Sequence, residues 1–120
     1  MAHAIDWFDI PATDFERARK FYEAILDKEL TPMEGMDEYA FLPARQGEVG
    51  GGLGTVDGLT PGQTGTLVYL NGGDDLNTVL NRIEGAGGKV TMPKTSIGPN
   101  GFVARFEDTE GNLVGLHSMG

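Results

Sequence analysis

Apolar residues recur at helical spacing in two separate stretches of the chain. In the first stretch they are Phe15, Ala18, Tyr22, Ile25 and Leu26. In the second they are Leu76, Val79, Leu80 and Ile83. This spacing puts each set on one side of an amphipathic helix. Strand-like runs precede the two stretches, at 5–10 and at 66–70, so the pattern predicts a strand followed by a helix in each half of the chain.

Capping residues predict where the two helices begin and end. Thr13 and Glu16 have the spacing of a capping box, in which a hydroxyl and a carboxylate bind the free amides of a helix start. In the second half, Asp74 or Asp75 is the predicted cap. The glycines within 85–88 are predicted to end that helix.

Further strands are predicted after each helix. The candidates are 38–42 and 49–53 in the first half, and 89–92, 102–107 and 113–117 in the second. Segment 92–102, rich in Pro and Gly, is predicted to be a loop that leads into a hairpin at Asn100-Gly101. Gly111 is placed to adopt a positive φ in the turn before the last strand.

Two pairs of residues recur at nearly the same separation. Asp14-Phe15 returns as Asp75-Leu76 after 61 residues, and Gly52-Leu53 returns as Gly115-Leu116 after 63 residues. With the repeated order of elements, this spacing indicates an α+β fold made of two βαβββ modules. We expect one domain, with the modules at about 1–60 and 61–120.

Composition narrows the functional classes. The chain has 120 residues, 39% of them apolar and 22% charged, as expected for one soluble globular domain. It contains no cysteine, which excludes disulfides, thiolate metal sites and a cysteine nucleophile. The excess of 18 acidic over 9 basic residues argues against a nucleic-acid partner. No apolar run approaches the roughly 20 residues that span a bilayer, and the start does not read as a secretory signal, so we expect a cytoplasmic protein with no membrane partner.

Two motifs indicate a family. The pattern D-x-x-R-A-x-x-F-Y is matched by Asp14, Arg17, Ala18, Phe21 and Tyr22. The pattern D-P-[DE]-G-N is matched by Asp108, Glu110, Gly111 and Asn112, with Thr109 in place of the proline. With both motifs in this order, the chain resembles the vicinal oxygen chelate superfamily of glyoxalases, bleomycin-resistance proteins and extradiol dioxygenases. The resemblance implies curled mixed sheets around a cavity, and a homodimer.

The resemblance also identifies where a metal would be held. Metal-using relatives take one ligand from the first strand and one from the last strand of each module. The matching positions here are Trp7, Gly51 or Gly52, the segment 65–67, and Gly115. An indole offers only an N–H donor and glycine offers no side chain, whereas such metals prefer imidazole and carboxylate donors. We therefore expect no metal and no other cofactor.

Three residues are candidates for ligand binding. Asp9 lies two residues beyond Trp7, and His117 lies two residues beyond Gly115. Because residues two apart in a strand share a face, Asp9, His117 and Trp7 are predicted to face the cavity. Trp7 would either stack on a flat ligand or fill the volume that metal and substrate occupy in relatives. His3, close to the N-terminus, is not expected to take part.

The resulting functional hypothesis is a metal-free module that binds a small molecule. Two alternatives stay open at this point. One is a metal-dependent lyase, isomerase or dioxygenase with relocated ligands that include Asp9 and His117. The other is a metal-free enzyme in which one of these two residues is a general acid or base. No catalytic residue is assigned.

Overall fold

The computed structural model describes residues 4–120, so His3 lies outside the described residues. The first half contains β1 (Asp9–Pro11), α1 (Phe15–Leu26), β2 (Thr31–Pro32), β3 (Tyr39–Phe41) and β4 (Gly52–Gly54). The second half contains β5 (Tyr69–Asn71), α2 (Asn77–Leu80), β6 (Lys89–Ser96), a 3-10 turn at Gly98–Asn100, β7 (Phe102–Glu107) and β8 (Leu113–Ser118). Each half therefore runs strand, helix and three strands, which confirms the predicted α+β fold with two βαβββ modules.

Each module forms its own mixed four-stranded sheet. The strand orders are β1-β4-β3-β2 and β5-β8-β7-β6, and in both sheets the first strand lies parallel to the last strand of its module. The sheets are curled but do not close into a barrel. Gly52 pairs with Asp9, and Gly115 pairs with Tyr69 at the corresponding place in the second sheet. The predicted correspondence of the two glycines is therefore confirmed.

One hydrophobic core draws on both modules. The predicted apolar stripes are buried, apart from Leu26, which is partly buried at the edge of the core. Phe21 and Phe106 are also fully buried, and their ring centroids lie 6.0 Å apart across the two modules. Because the core is shared, we propose that the modules at about 1–60 and 61–120 form one domain. No helix within residues 4–120 is long and apolar enough to cross a membrane.

Several sequence predictions about element ends are wrong. Helix α2 begins after Leu76, which makes no side-chain cap hydrogen bond, and not at Asp74 or Asp75, and it ends at Leu80, ahead of the glycines within 85–88. The cap of α1 is Asp14, whose carboxylate accepts the Arg17 N–H at 3.1 Å, and Glu16 binds Arg19 instead of completing a capping box. The predicted loop 92–102 is strand as far as Ser96, since β6 spans Lys89–Ser96. Its Pro93 is tolerated because β6 is an edge strand with shifts in register on both sides of Met92. The short strand β2 had no sequence signal.

The turn between β7 and β8 binds the start of α1 through the side chain of Glu110. Glu110 Oε1 accepts the backbone N–H groups of Thr13 and Asp14 at 2.8 and 2.7 Å, and Oε2 accepts Arg17 Nε at 2.8 Å. The Glu110 side chain is fully buried by these contacts. A carboxylate at a helix N-terminus is stabilised by the N–H groups and by the helix dipole.

Because of these hydrogen bonds to Glu110, we expect the protein to be less stable in acid. Burial by itself raises the pKa of Glu110, but hydrogen bonds led by that of Arg17 outweigh burial, so the pKa lies below its ordinary value of 4.5. A lowered pKa in the folded state means that the stabilisation is complete above the unfolded value and is lost as the pH falls through the folded value. Melting temperatures between pH 7 and pH 3 should therefore fall, and Glu110→Gln should flatten this part of the profile. Equal pH profiles for the two proteins would contradict the assignment.

Candidate functional site

The face of the first sheet that points away from the helices carries the residues of interest. Ile10, Ala40 and Leu53 are buried in the core on the helix side. Because side chains alternate along a strand, their neighbours Asp9, Tyr39 and Gly52 belong to the opposite, outer face. The structure thus brings an acidic residue, an aromatic residue and a glycine together across β1, β4 and β3.

Tyr39 lies over the glycines of β4. It pairs with Gly54 across the strands, and its ring extends to Gly52, where an added Cβ would overlap the phenol group. The Tyr39 hydroxyl donates to Asp9 Oδ1 at 2.5 Å and accepts a hydrogen bond from Trp7 Nε1 at 3.2 Å. Gly52 is therefore required by the close approach of the tyrosine side chain, and Gly54 by the close approach of the Glu38 and Tyr39 backbone.

Phe41 completes this group. Its ring centroid lies 5.8 Å from that of Trp7 and 5.9 Å from that of Tyr39, with interplanar angles of 80° and 86°. Such edge-to-face contacts are favourable geometries for aromatic rings. We call Trp7, Asp9, Tyr39 and Phe41 the Asp9 cluster. Within the cluster, the Tyr39 side chain is only 7% exposed. Trp7 is 46% exposed, so it lies at the surface and does not fill a closed cavity.

The Tyr39 phenol remains a proton donor at neutral pH. Burial raises its pKa above the ordinary value of 10.0, and the hydrogen bond to Asp9 raises it further, although the Trp7 N–H acts in the opposite direction. The phenol is therefore neutral over the physiological range. Its O–H group donates to the Asp9 carboxylate and so holds that carboxylate in one orientation.

A second tyrosine covers the corresponding glycine of the second sheet. Gly115 pairs with Tyr69 on β5, and an added Cβ at Gly115 would overlap the Tyr69 ring. Tyr69 is 42% exposed. In both modules, the glycine that stands at the family's last-strand ligand position is thus covered by an aromatic side chain.

The residues at the family's metal positions do not fit a metal centre. Neither Gly52 nor Gly115 has space for a ligating side chain while Tyr39 and Tyr69 stay in place. The indole N–H of Trp7 is bound to Tyr39 and has no lone pair to donate. Across residues 4–120, no group of three or more His, Cys, Asp and Glu side chains is arranged to hold a metal ion.

His117 lies apart from the other two predicted site residues. It projects from β8, and its Nε2 is 2.6 Å from the carbonyl oxygen of Asn100. It lines a pocket of about 560 Å³ together with Tyr69 and Asn71. No hydrogen bond or aromatic contact among the described residues joins His117 to Trp7 or Asp9. The structure therefore brings Trp7 and Asp9 together and places His117 on the second sheet.

A larger cleft of about 1210 Å³ lies between the two modules. It is lined by apolar side chains from both halves, including Phe8, Leu42, Leu67 and Val79. Clefts with mainly apolar walls are common sites of small-molecule binding, but Trp7, Asp9 and His117 do not line this one.

Sequence reasoning missed Tyr39, Phe41 and Tyr69 as site residues. The alternation in Tyr39-Ala40-Phe41 indicates that the two aromatic residues share a face. The alternation does not show which strands lie beside β3. The site requires β4 to lie between β3 and β1. Tyr69 lies in the predicted strand 66–70 and corresponds to Asp9 of the first module, since each pairs with the equivalent glycine of its sheet.

Comparison with known proteins agrees with this architecture. The family model described as the Glyoxalase/Bleomycin resistance protein/Dioxygenase superfamily matches residues 4–116. The chain belongs to this superfamily.

Relatives with known sequences and structures extend the comparison. CFP32 of Mycobacterium tuberculosis, named as a candidate glyoxylase, is 27% identical over 92% of this chain, and the match covers 44% of CFP32. This chain therefore spans less than half the length of that relative. A glyoxalase/bleomycin resistance protein from Albidiferax ferrireducens has a TM-score of 0.76 at 15% identity, covering 95% of this chain and 97% of that one, which shows the fold. An antibiotic binding protein from Streptomyces sp. CB03234 has a TM-score of 0.64 at 26% identity and covers 100% of this chain and 99% of its own.

Proposed function

We propose that this chain is a metal-independent protein that binds a small molecule. The observation that carries the proposal is the covering of Gly52 and Gly115 by Tyr39 and Tyr69. A metal ligand at either position would have to displace an aromatic ring. At Gly52 it would also break the hydrogen bond between Tyr39 and Asp9.

Similarity to a binding protein supports the same function. The Streptomyces protein that is 26% identical to this chain over its full length is described as antibiotic binding. We infer that this chain also holds its ligand without chemical conversion. The proposed ligand contacts are Trp7 and Asp9 on the first sheet, with His117 as a separate contact on the second sheet.

The two enzymatic alternatives gain no comparable support. A relocated metal site would need Asp9 and His117 close together. Asp9 lies on the first sheet and binds Tyr39, whereas His117 lies on the second sheet and contacts the carbonyl oxygen of Asn100. A metal-free enzyme would need a group that exchanges protons with substrate. Asp9 Oδ1 and His117 Nε2 are each engaged in a hydrogen bond, and apart from the neutral Tyr39 phenol no second acid–base group is bonded to either of them among the described residues.

The experiment is a ligand screen read through Trp7, the only tryptophan of the chain. With ¹⁵N-labelled protein, the single indole N–H signal reports directly on the Asp9 cluster. A library of small molecules is screened in EDTA and again with added divalent metal. The proposal expects binders whose affinity is the same in both conditions and that are recovered unchanged. Binding or turnover that requires metal would contradict it, as would a screen with no binder.

We also propose that the protein is a homodimer. Within residues 4–120, β1 pairs on one side only and β5 pairs on one side only, so each sheet ends in an edge strand next to exposed apolar side chains such as Ile5 and Tyr69. Exposed edges of this kind favour association. Sedimentation equilibrium should give twice the chain mass of 12.8 kDa, and a monomer at micromolar concentration would refute the proposal. We further propose a cytoplasmic location, which a sequence without cysteine supports, and the absence of a nucleic-acid partner, which the acidic composition supports.

A further inference from the structure

The Asp9 carboxylate is the one charged group of the Asp9 cluster, and it is only partly engaged. Asp9 is exposed, and its Oδ1 accepts the Tyr39 hydroxyl at 2.5 Å. None of the ion pairs found within residues 4–120 includes Asp9. A carboxylate only accepts hydrogen bonds, so a molecule that binds here has to bring a donor or a positive charge.

The aromatic rings of the same cluster limit which kind of donor fits. Trp7 and Tyr39 both contact Phe41 edge to face, and Trp7 is 46% exposed. The faces of aromatic rings carry partial negative charge and attract cations that have an apolar surface. A small hydrated metal ion gains little from such walls, whereas the methyl groups of an organic ammonium pack against them.

Hydrogen bonds link the side chains of the cluster before any ligand arrives. Trp7 Nε1 is bound to the Tyr39 hydroxyl, and that hydroxyl is bound to Asp9. The tyrosine ring rests on Gly52. Because the side chains are already ordered, binding costs little conformational entropy. The net charge of −9 also favours the approach of a cation.

We propose that the Asp9 cluster is a recognition site for an organic ammonium group, with Asp9 as the counter-charge and Trp7 and Phe41 as the apolar walls. This inference rests on the proposed function, since it specifies the class of ligand that the metal-independent protein binds. It assigns Tyr39 a positioning role, because its hydroxyl holds both Asp9 and Trp7 in place.

A matched pair of probes tests the charge requirement. Choline and 3,3-dimethylbutan-1-ol have almost the same shape and differ in the positive charge. Each is titrated into ¹⁵N-labelled protein, and the indole N–H signal of Trp7 is followed. Choline should produce a saturable shift, and the neutral alcohol should not. Equal shifts from the two compounds would overturn the cation assignment, and so would the absence of any shift with choline.

Two variants test whether choline binds at Asp9. Asp9→Asn keeps an oxygen that accepts the Tyr39 hydroxyl but removes the charge, and it should weaken choline binding at least about fivefold. The control is Asp57→Asn, which removes an exposed carboxylate elsewhere and should leave the affinity unchanged. Unchanged affinity in Asp9→Asn, or equal losses in both variants, would overturn the proposal.

The two experiments distinguish failure of the ammonium proposal from failure of the proposed function. If the library screen yields a neutral molecule that shifts the Trp7 signal while choline does not, only the ammonium assignment is rejected. If no molecule of any charge binds, the proposed function is rejected as well.

Discussion

Replacement of Asp108 by alanine is expected to lower the free energy of unfolding by about 3–5 kcal/mol. Asp108 is 3% exposed. Its carboxylate accepts the Tyr22 hydroxyl at 2.7 Å, the Glu110 N–H at 2.8 Å, and the backbone and side-chain N–H groups of Asn112 at 2.9 and 3.0 Å. The variant removes this acceptor from the Tyr22 hydroxyl and from the backbone N–H groups of Glu110 and Asn112, while the Asn112 amide keeps its second hydrogen bond, to the Pro11 carbonyl. Buried donors that lose their acceptor are costly.

Urea denaturation of the variant and the parent protein checks this value. Tyr22→Phe removes one hydrogen bond of the same network without a large change of volume, and it should cost about 1 kcal/mol. Asp57→Ala alters an exposed aspartate and should change stability by less than about 0.5 kcal/mol. If Asp108→Ala is no more harmful than Asp57→Ala, the network does not hold α1 to the second module.

Substitution of Gly52 by alanine is expected to cost about 2–4 kcal/mol. The added methyl group would overlap the Tyr39 phenol, and Tyr39 is only 7% exposed, so its ring has little room to move. Displacing the ring also breaks its hydrogen bonds to Asp9 and Trp7. The Trp7 indole signal should therefore shift in the same variant.

Gly62→Ala is the matched control, because Gly62 has no positive φ and no atom within 4 Å of an added Cβ. It should leave both stability and the Trp7 signal nearly unchanged. A double variant, Gly52→Ala with Tyr39→Ala, should be more stable than the sum of the single effects, because neighbours that compete for one space are coupled. Equal stability of the Gly52→Ala and Gly62→Ala proteins would show that the ring is not packed against β4.

Local patterns in the sequence were enough to predict the architecture. The stripe of Phe15, Ala18, Tyr22 and Ile25 is buried as its helical spacing requires, and β7 spans the predicted residues, Phe102–Glu107. Gly111 has the expected positive φ, at 87°. These features depend on residues that are close in sequence, so periodicity and turn chemistry define them.

The candidate site depends on contacts between distant residues. The hydrogen bond from Tyr39 to Asp9 joins residues 30 positions apart across an intervening strand, and the strand order is not contained in local periodicity. The cap of α1 was mispredicted for a similar reason. Glu110, 97 residues away from Thr13, occupies the N–H groups of Thr13 and Asp14, so a capping box formed by Thr13 and Glu16 is not needed.

The central claim is that tyrosine rings occupy the places where relatives position metal ligands. The most direct test is the metal content of the purified protein after equilibration with Zn, Ni, Co, Mn and Fe ions, together with the melting temperature in each ion. Metal well below one ion per chain, and an unchanged melting temperature in every case, are the predicted results. One tightly bound ion per chain that is lost in Asp9→Asn or His117→Ala would contradict the claim.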